Sequence, residues 1–450
     1  MNSLPILLYL SAVLVVGLVF SYKRDKSAED YFFGGKSSGP MTFGSSLVLS
    51  NLLRYQVVLF PLAALQYFWI AAGVSVLVVV LSYRIRPSFS EAVAHSALWG
   101  NTRSDWFVVS LVFISTITIQ IAGTMALASM VLKNTLDLDY STTVLMMIVF
   151  AGIYAIVGGF SAVAHAQVFQ LVVFVGGLIG LALLGSIPGP SSLAPSYSQG
   201  ATVSFAGAML GLPVVSLWMW HYDRFSLQQV RSSRDPASMN RGLVLAGGIV
   251  VVILGIVLVA GTVPAGLPAS PAAHILSIVC VAALMASFAA SFTSASELMS
   301  VEFFKHLKPD SSEQKLVLVG RLTAAGVIGL TIIMMPLVQS LGGRLIDDFV
   351  MVQACLFPPI TAIYAGKFFF RHETVQGVLP ALVAGEIAGI VRLLLYITGA
   401  GPLALGSSFS WLLTMDFFLF AFCLFCFSLV VFYGAGVVAT LRPRAANRFT

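Results

Sequence analysis

An all-α polytopic membrane protein with thirteen transmembrane helices is the fold class this sequence predicts, on three observations. Hydrophobic residues make up 58% of the 450 and charged residues only 9%, against roughly a quarter charged in soluble domains. So apolar a chain cannot cover its own surface with polar groups, and lipid must solvate most of it. Apolar stretches near the ~20 residues that a helical bilayer crossing needs recur along the whole chain, separated by short loops. The basic residues, finally, crowd into alternate loops.

The first stretch, residues 4–20, ends in Ser21-Tyr22-Lys23-Arg24-Asp25-Lys26. No basic region precedes it and no small-residue cleavage pattern follows, so it reads as a retained helix. Residues 43–65 and 68–83 come next, parted only by Gln66 and Tyr67. Stretches 106–132, 142–157, 166–187 and 203–222 follow. The last of these carries Gly211-Leu212-Pro213, where the proline lacks the amide hydrogen that would continue the helix. The remaining spans are 242–262, 273–299, 316–339, 347–369, 374–398 and 409–440. With the N-terminus outside, loops 21–42, 84–105, 158–165, 223–241, 300–315 and 370–373 and the C-terminal tail are cytoplasmic. Those regions and their flanks hold all but four of the 24 Lys and Arg: Lys133 and Arg344 lie outside, Arg54 and Arg392 within spans. The bias sets the C-terminus in the cytoplasm.

This pattern excludes several classes of function. The formal net charge of +6 follows from the positive-inside bias and calls for no nucleic-acid partner. Cys280, Cys355, Cys423 and Cys426 all lie in spans, where small apolar packing residues are expected and neither a disulfide nor a metal is. No loop is long enough for a soluble domain, and the tail from Leu441 to Thr450 leaves no room for an attached enzyme. Neither a nucleotide-binding loop nor a nucleophile–base cluster is evident, so the chain reads as no enzyme. An ion gradient is the energy source such a chain can use.

Ionisable groups inside spans are costly and mark function or pairing. They are Arg54, Glu297, Glu386, Arg392 and Asp416, with Asp223 at a cytoplasmic end. Glu297 lies near the end of its span and is expected to snorkel to the interface. Glu386 and Arg392, six residues apart, are expected to face other helices instead of each other. Arg54 sits at mid-depth in the most polar intramembrane run, Leu49-Ser50-Asn51-Leu52-Leu53-Arg54-Tyr55-Gln56. Two readings stay open for it, a buried ion pair and a substrate contact. With Asn51, Tyr55, Gln56, Gln120 and Thr124, its planar guanidinium suits a carboxylate, which favours an organic acid or amino acid over a neutral sugar. Interruptions in the second and seventh spans, five helices apart, fit an inverted-repeat transporter.

Five segments, in order, are similar to the sodium:solute symporter family of sugar, proline, sialic acid and pantothenate carriers. "DYFFGGKSSGPMTFGSSLVLSN" resembles the entry to its first core helix, D-Y-F-x-x-G-[RK]-S-x-G. "YAIVGGFSAVAHAQVFQ" resembles Y-x-x-x-G-G-x-x-A-V-x-x-T-D-x-x-Q, and "YDRFSLQQVRSSRDPASMNRG" resembles D-Q-x-x-x-Q-R-x-x-A-x-[KR]. "ALMASFAASFTSASELMSVEFFKHL" matches the spacing of A-x-x-M-S-S-x-x-S-x-x-N-S-x-S-T-x-x-x-x-D-x-Y, and "EQKLVLVGRLTAAGV" resembles the next helix entry.

The resemblance implies a single membrane transport domain over residues 1–450. A leading helix and loop (1–41) precede a LeuT-type core of two inverted five-helix repeats (42–372). Two trailing helices and a short basic tail (373–450) follow. It implies a sodium site from the carbonyls of Leu49, Leu52 and Ala283 and the hydroxyl of Ser287, the paired hydroxyl position being Ala286 here. Sodium takes oxygen ligands, so carbonyls freed by an unwound helix suit it. At Gln167 the family often has an acid that serves an additional sodium, and His165-Ala166 stand where Trp-Thr is usual. His165 itself is expected to be a solvated loop residue. The expected function is sodium-coupled uptake of a small polar solute by alternating access, in the plasma membrane (a bacterial inner membrane), with lipid, solute and sodium as partners. Rival readings are a transporter-like sensor whose ion site has decayed, and a sodium-independent or proton-coupled carrier.

Overall fold

The computed structural model describes residues 4–21, 27–63, 116–129, 132, 139–185, 204–218, 223–261, 270–341, 345–369, 377–398 and 415–441. Among them regular structure is helical, apart from one parallel bridge between Ser38 and Ser233. Six described helices are long and apolar enough to cross a membrane: Tyr140–Leu183, Pro236–Ile253, Ala272–Leu307, Glu313–Ser340, Val378–Ile397 and Phe417–Val438. Shorter apolar helices occupy Leu4–Phe20, Ile119–Ser129, Gly207–Leu217 and Met351–Gly366. The chain is thus a multi-pass membrane protein. The expected span 68–83 lies outside the described residues.

The elements run α1 (Leu4–Ser21), α2 (Ala28–Phe33), α3 (Pro40–Ala63), α4 (Ala122–Ser129, entered through a π-helical turn Thr116–Ile121) and α5 (Tyr140–Leu183). A second π-helical turn, Gly207–Gly211, leads into α6 (Leu212–Leu217), followed by α7 (Arg224–Ser232), α8 (Pro236–Gly261) and α9 (Ser270–Glu297). A third, Leu298–Phe304, extends α9; then come α10 (Glu313–Leu341), α11 (Leu345–Phe369), α12 (Val378–Ile397) and α13 (Phe417–Leu441).

The expected cytoplasmic loop 158–165 is reduced to one non-helical residue, Gly159. The rest of that stretch is helical within α5, whose 44 residues would run about 66 Å at 1.5 Å per residue, two bilayer cores rather than one. The two halves meet at Gly159, at φ +61° and ψ −151°. That region excludes L side chains, and the Tyr31 carbonyl packs where a Cβ would stand. The glycine pair thus replaces a loop by a kink, which a hydropathy reading cannot separate from a turn.

The centre of the bundle is α9. From Val281 to Leu298 every residue is buried, and many are Ala or Ser, small enough to let neighbouring backbones approach. It packs along α5 and also touches α3, α7 and α10. A second group of helices, α11, α12 and α13, packs together at the C-terminal side. Large apolar side chains such as Leu8, Ile333 and Val430 are exposed, as a lipid-facing surface requires.

Candidate cation and solute site

The polar residues of α3 and α9 face each other along a dry seam. On α3, Ser45, Ser46, Ser50 and Asn51 are buried; on α9, Ser287, Ser291 and Ser294 are. The Ser287 hydroxyl donates to the Ser50 carbonyl at 3.3 Å, fixing α9 beside the residues expected to supply carbonyl ligands. Leu49, Ala283 and Ala286 are fully buried at this junction. α3 is helical throughout, Pro40 to Ala63, so the break expected beside Leu49 is absent. A continuous helix engages its carbonyls internally, and this is the main departure from the expected cation site. The side chains of Leu52, Arg54, Tyr55 and Gln56 lie outside the described residues; only their helical backbone is given.

Gln167 joins the seam from α5. Its Nε2 donates to the Ala286 carbonyl at 3.1 Å, while its Oε1 accepts a short bond from the Ser46 hydroxyl. Gln229 of α7 donates to the same hydroxyl at 2.8 Å. One neutral network therefore ties α3, α5, α7 and α9 together. His165, two residues before Gln167, is not a solvated loop residue: it is half-buried, stacks on Phe20 at 4.4 Å and places Nδ1 2.7 Å from the Ser161 carbonyl.

Two expected solute contacts converge on the start of α7. Asn51 donates to Ser226 at 3.4 Å and to the Leu47 carbonyl at 3.1 Å. Gln120 donates through a short bond to Asp223, which also caps α7 by accepting from Phe225 N at 3.2 Å. The remaining amide oxygens, Asn51 Oδ1 and Gln120 Oε1, are buried without a hydrogen-bond partner among the described residues. Thr124 spends its hydroxyl on the Gln120 carbonyl at 2.6 Å, so it contributes mainly to its own helix. The expected interruption in the seventh span takes the form of the π-helical turn Gly207–Gly211, with Pro213 just beyond it in a helical run that continues from 205 to 218. Gly211 leaves no room for a Cβ against the Phe418 carbonyl.

The sequence reading missed α7. Residues 223–241 were expected as a cytoplasmic loop with surface cations, yet Arg224 through Val230 are all buried. Arg224 is bidentate to Glu297, Nε to Oε2 at 2.8 Å and Nη2 to Oε1 at 2.9 Å, and reaches Glu302 at 3.0 Å. Arg231 reaches Glu302 at 2.6 Å and Glu297 at 3.1 Å. Glu297 does not snorkel; it is fully buried in this quartet of charges. The available signal was two arginines seven residues apart on one segment and two glutamates five apart on another.

Among the described residues, Arg392 and Asp416 each have partners of their own. Arg392 donates to the Met415 carbonyl at 2.7 Å and lies over the Phe420 ring at 5.3 Å, away from Glu386. Asp416 caps α13, accepting from Leu419 N at 2.9 Å and from the Ser204 hydroxyl.

With this geometry in view, the comparisons are consistent with one another. The model of the sodium:solute symporter family matches residues 255–385. The sodium/mannose cotransporter of Bos taurus is 26% identical over 58% of this chain and 55% of its own length. Sodium/glucose cotransporter 4 of Mus musculus is 22% identical over 88% of this chain, and sodium/glucose cotransporter 1 of Oryctolagus cuniculus 23% over 86%. The chain spans 69% and 71% of the length of those two and little more than half of the bovine relative. A solved Na+-coupled sialic acid symporter, in a substrate-bound outward-open state, shares the fold with a TM-score of 0.72 at 17% identity, over 98% of this chain and 97% of that one. Family model, relatives and fold thus agree in what this chain is similar to, the sodium:solute symporter family and its sodium-coupled carriers.

Proposed function

We propose that this protein is a secondary carrier that brings a small polar solute into the cell with sodium, by alternating access within a LeuT-type core of inverted repeats spanning residues 42–372. The observation that carries the reading is the buried α3–α9 seam, where the Ser287 hydroxyl meets the Ser50 carbonyl beside Leu49 and Ala283. Ser287, with the carbonyls of Leu49, Leu52 and Ala283, is the proposed sodium site. Its opening requires α3 to unwind locally, releasing carbonyls that the continuous helix now uses. The relatives named above, all sodium cotransporters, support sodium as the coupling ion.

Asn51, Arg54, Tyr55, Gln56, Gln120 and Thr124 are the proposed solute contacts, with Arg54 holding a carboxylate. The unpartnered oxygens of Asn51 and Gln120 suit hydroxyl or ammonium donors on the same solute. A neutral polyol is the second reading, favoured by the mannose and glucose cotransporters among the relatives. Uptake and counterflow in proteoliposomes under an imposed sodium gradient test both. A sodium-driven, solute-specific flux is expected, and binding with no counterflow would replace the carrier by a sensor. Arg54→Lys keeps the charge but loses the planar fork, so apparent affinity for a carboxylate solute should fall about tenfold or more with maximal flux less affected. Unaltered affinity in that variant would favour the polyol reading.

A further inference from the structure

A second group of oxygen atoms lies outside the seam, among α11, α12 and α13. Glu386 of α12 is 4% exposed, and among the described residues neither of its carboxylate oxygens has a hydrogen-bond partner. Among the described residues no basic side chain pairs with it. An isolated ionised carboxylate in so dry a place would cost several kcal/mol, so a counter-charge or a proton must neutralise it.

The surroundings supply ligands for a cation. α11 carries Pro358 and Pro359 in succession inside the helix. Neither has an amide hydrogen, so the carbonyls of Ala354 and Cys355, four residues earlier, lose their helical donors. No described side chain donates to either carbonyl. Glycines flank Glu386 and draw the helices together. At Gly389 a Cβ would run into the Cys355 carbonyl, and at Gly385 it would lie 2.5 Å from the Ser428 hydroxyl and 2.6 Å from Pro359 Cβ. Ser428 of α13 is itself fully buried, and its hydroxyl has no partner. Around the Gly385–Gly389 stretch of α12 thus lie the Glu386 carboxylate, the Cys355 carbonyl and the Ser428 hydroxyl, with the Ala354 carbonyl one residue earlier on α11.

We propose that Glu386, Ser428 and the carbonyls of Ala354 and Cys355 form a binding site for a small monovalent cation between α11, α12 and α13. Oxygen-only ligands select a hard ion. A single carboxylate balances one positive charge, whereas a divalent ion would leave a net buried charge in a low-dielectric setting. The site is independent of the α3–α9 seam. On the side of the seam lies α11, whose Phe357, next to Pro358, stacks on Trp218 at 4.5 Å.

The test measures binding of radioactive sodium to the purified full-length protein, with choline as the replacing ion, so that transport need not occur. Ser287→Ala removes the side-chain ligand of the seam. Saturable sodium binding should persist in that variant and should weaken about tenfold or more when Glu386→Gln is added. Where Glu386→Gln does not fold, Ser428→Ala is used, with a several-fold loss of affinity expected. Sodium affinity unchanged by either substitution overturns the proposal, as does an absence of binding in Ser287→Ala. It is equally overturned by a carboxylic-acid C=O band, present in saturating sodium and lost in Glu386→Gln, since a protonated Glu386 holds no cation.

Discussion

Ser287 occupies a position at which a single oxygen decides between packing and ion binding. Its hydroxyl reaches the Ser50 carbonyl at 3.3 Å, while the neighbouring Ala286 offers only its carbonyl, which Gln167 already engages at 3.1 Å. If Ser287 were no more than a helix-packing serine, its alanine variant would lose one long hydrogen bond, worth about 1 kcal/mol, and sodium dependence would not move. As the sole side-chain ligand of the proposed site it has a larger role. Ser287→Ala should raise the sodium concentration for half-maximal uptake by about tenfold, and Ala286→Ser, by restoring a second hydroxyl, should lower it. Sodium titrations of uptake in both variants check this, and equal half-saturation in parent and variants returns Ser287 to packing.

At the scale of elements, α7 is a polar helix held inside the bundle by its partners. Its cations answer the glutamates at the end of α9, Gln228 donates to the Phe32 carbonyl at 2.7 Å, and Ser226 and Gln229 hold Asn51 and Ser46. Removing one member of a buried ion pair leaves the other uncompensated, at about 3–5 kcal/mol. Glu297→Ala should therefore lower the thermal midpoint of the purified protein markedly. Replacing Arg224 and Glu297 together by Met should recover most of that loss, because the desolvation penalty leaves with both charges. Detergent-solubilised melting curves of the single and double variants measure the coupling, and additive losses would contradict it. This element also marks where the sequence stopped being legible. Apolar runs long enough to span a membrane are written in hydropathy, and α1, α8, α10 and α12 lie close to their expected bounds. α7 is not, because it reads as a basic loop unless the acids that bury it are known to be near. The Gly159 kink was hidden for a related reason, since Gly-Gly signals a turn, and only the Tyr31 carbonyl beside it makes a kink necessary. Leu49, Leu52, Ala283 and Ser287 were singled out through the family resemblance alone, whereas the Gln167 network depends on the meeting of four helices that no local pattern encodes.

For the whole molecule, the number of sodium ions moved with each solute follows from how the bundle places its charges. Among the described residues the seam contains hydroxyls, amides and carbonyls but no carboxylate; the nearby acids are otherwise engaged, Asp223 with Gln120 and the α7 cap, Glu297 with two arginines. Gln167, fully buried, is neutral at the position where the family resemblance leads one to expect an acid for an additional cation, and its amide donates to the Ala286 carbonyl. Two opposite charges ~4 Å apart gain about 4 kcal/mol at an effective dielectric of 20, enough to decide occupancy at cellular sodium. On the proposed sodium site, the expected number is therefore one sodium and not two. Reversal-potential measurements in proteoliposomes should give a sodium-to-solute ratio of one for the parent. In Gln167→Asp the carboxylate can no longer donate to the Ala286 carbonyl, so that oxygen becomes a ligand beside a new negative charge, and the ratio should rise towards two. The cation proposed at Glu386 does not enter this count if it stays bound through the cycle. A parent ratio of two that falls to one in Glu386→Gln would show that ion to be transported as well, whereas a ratio of two that survives Glu386→Gln would defeat the one-sodium seam.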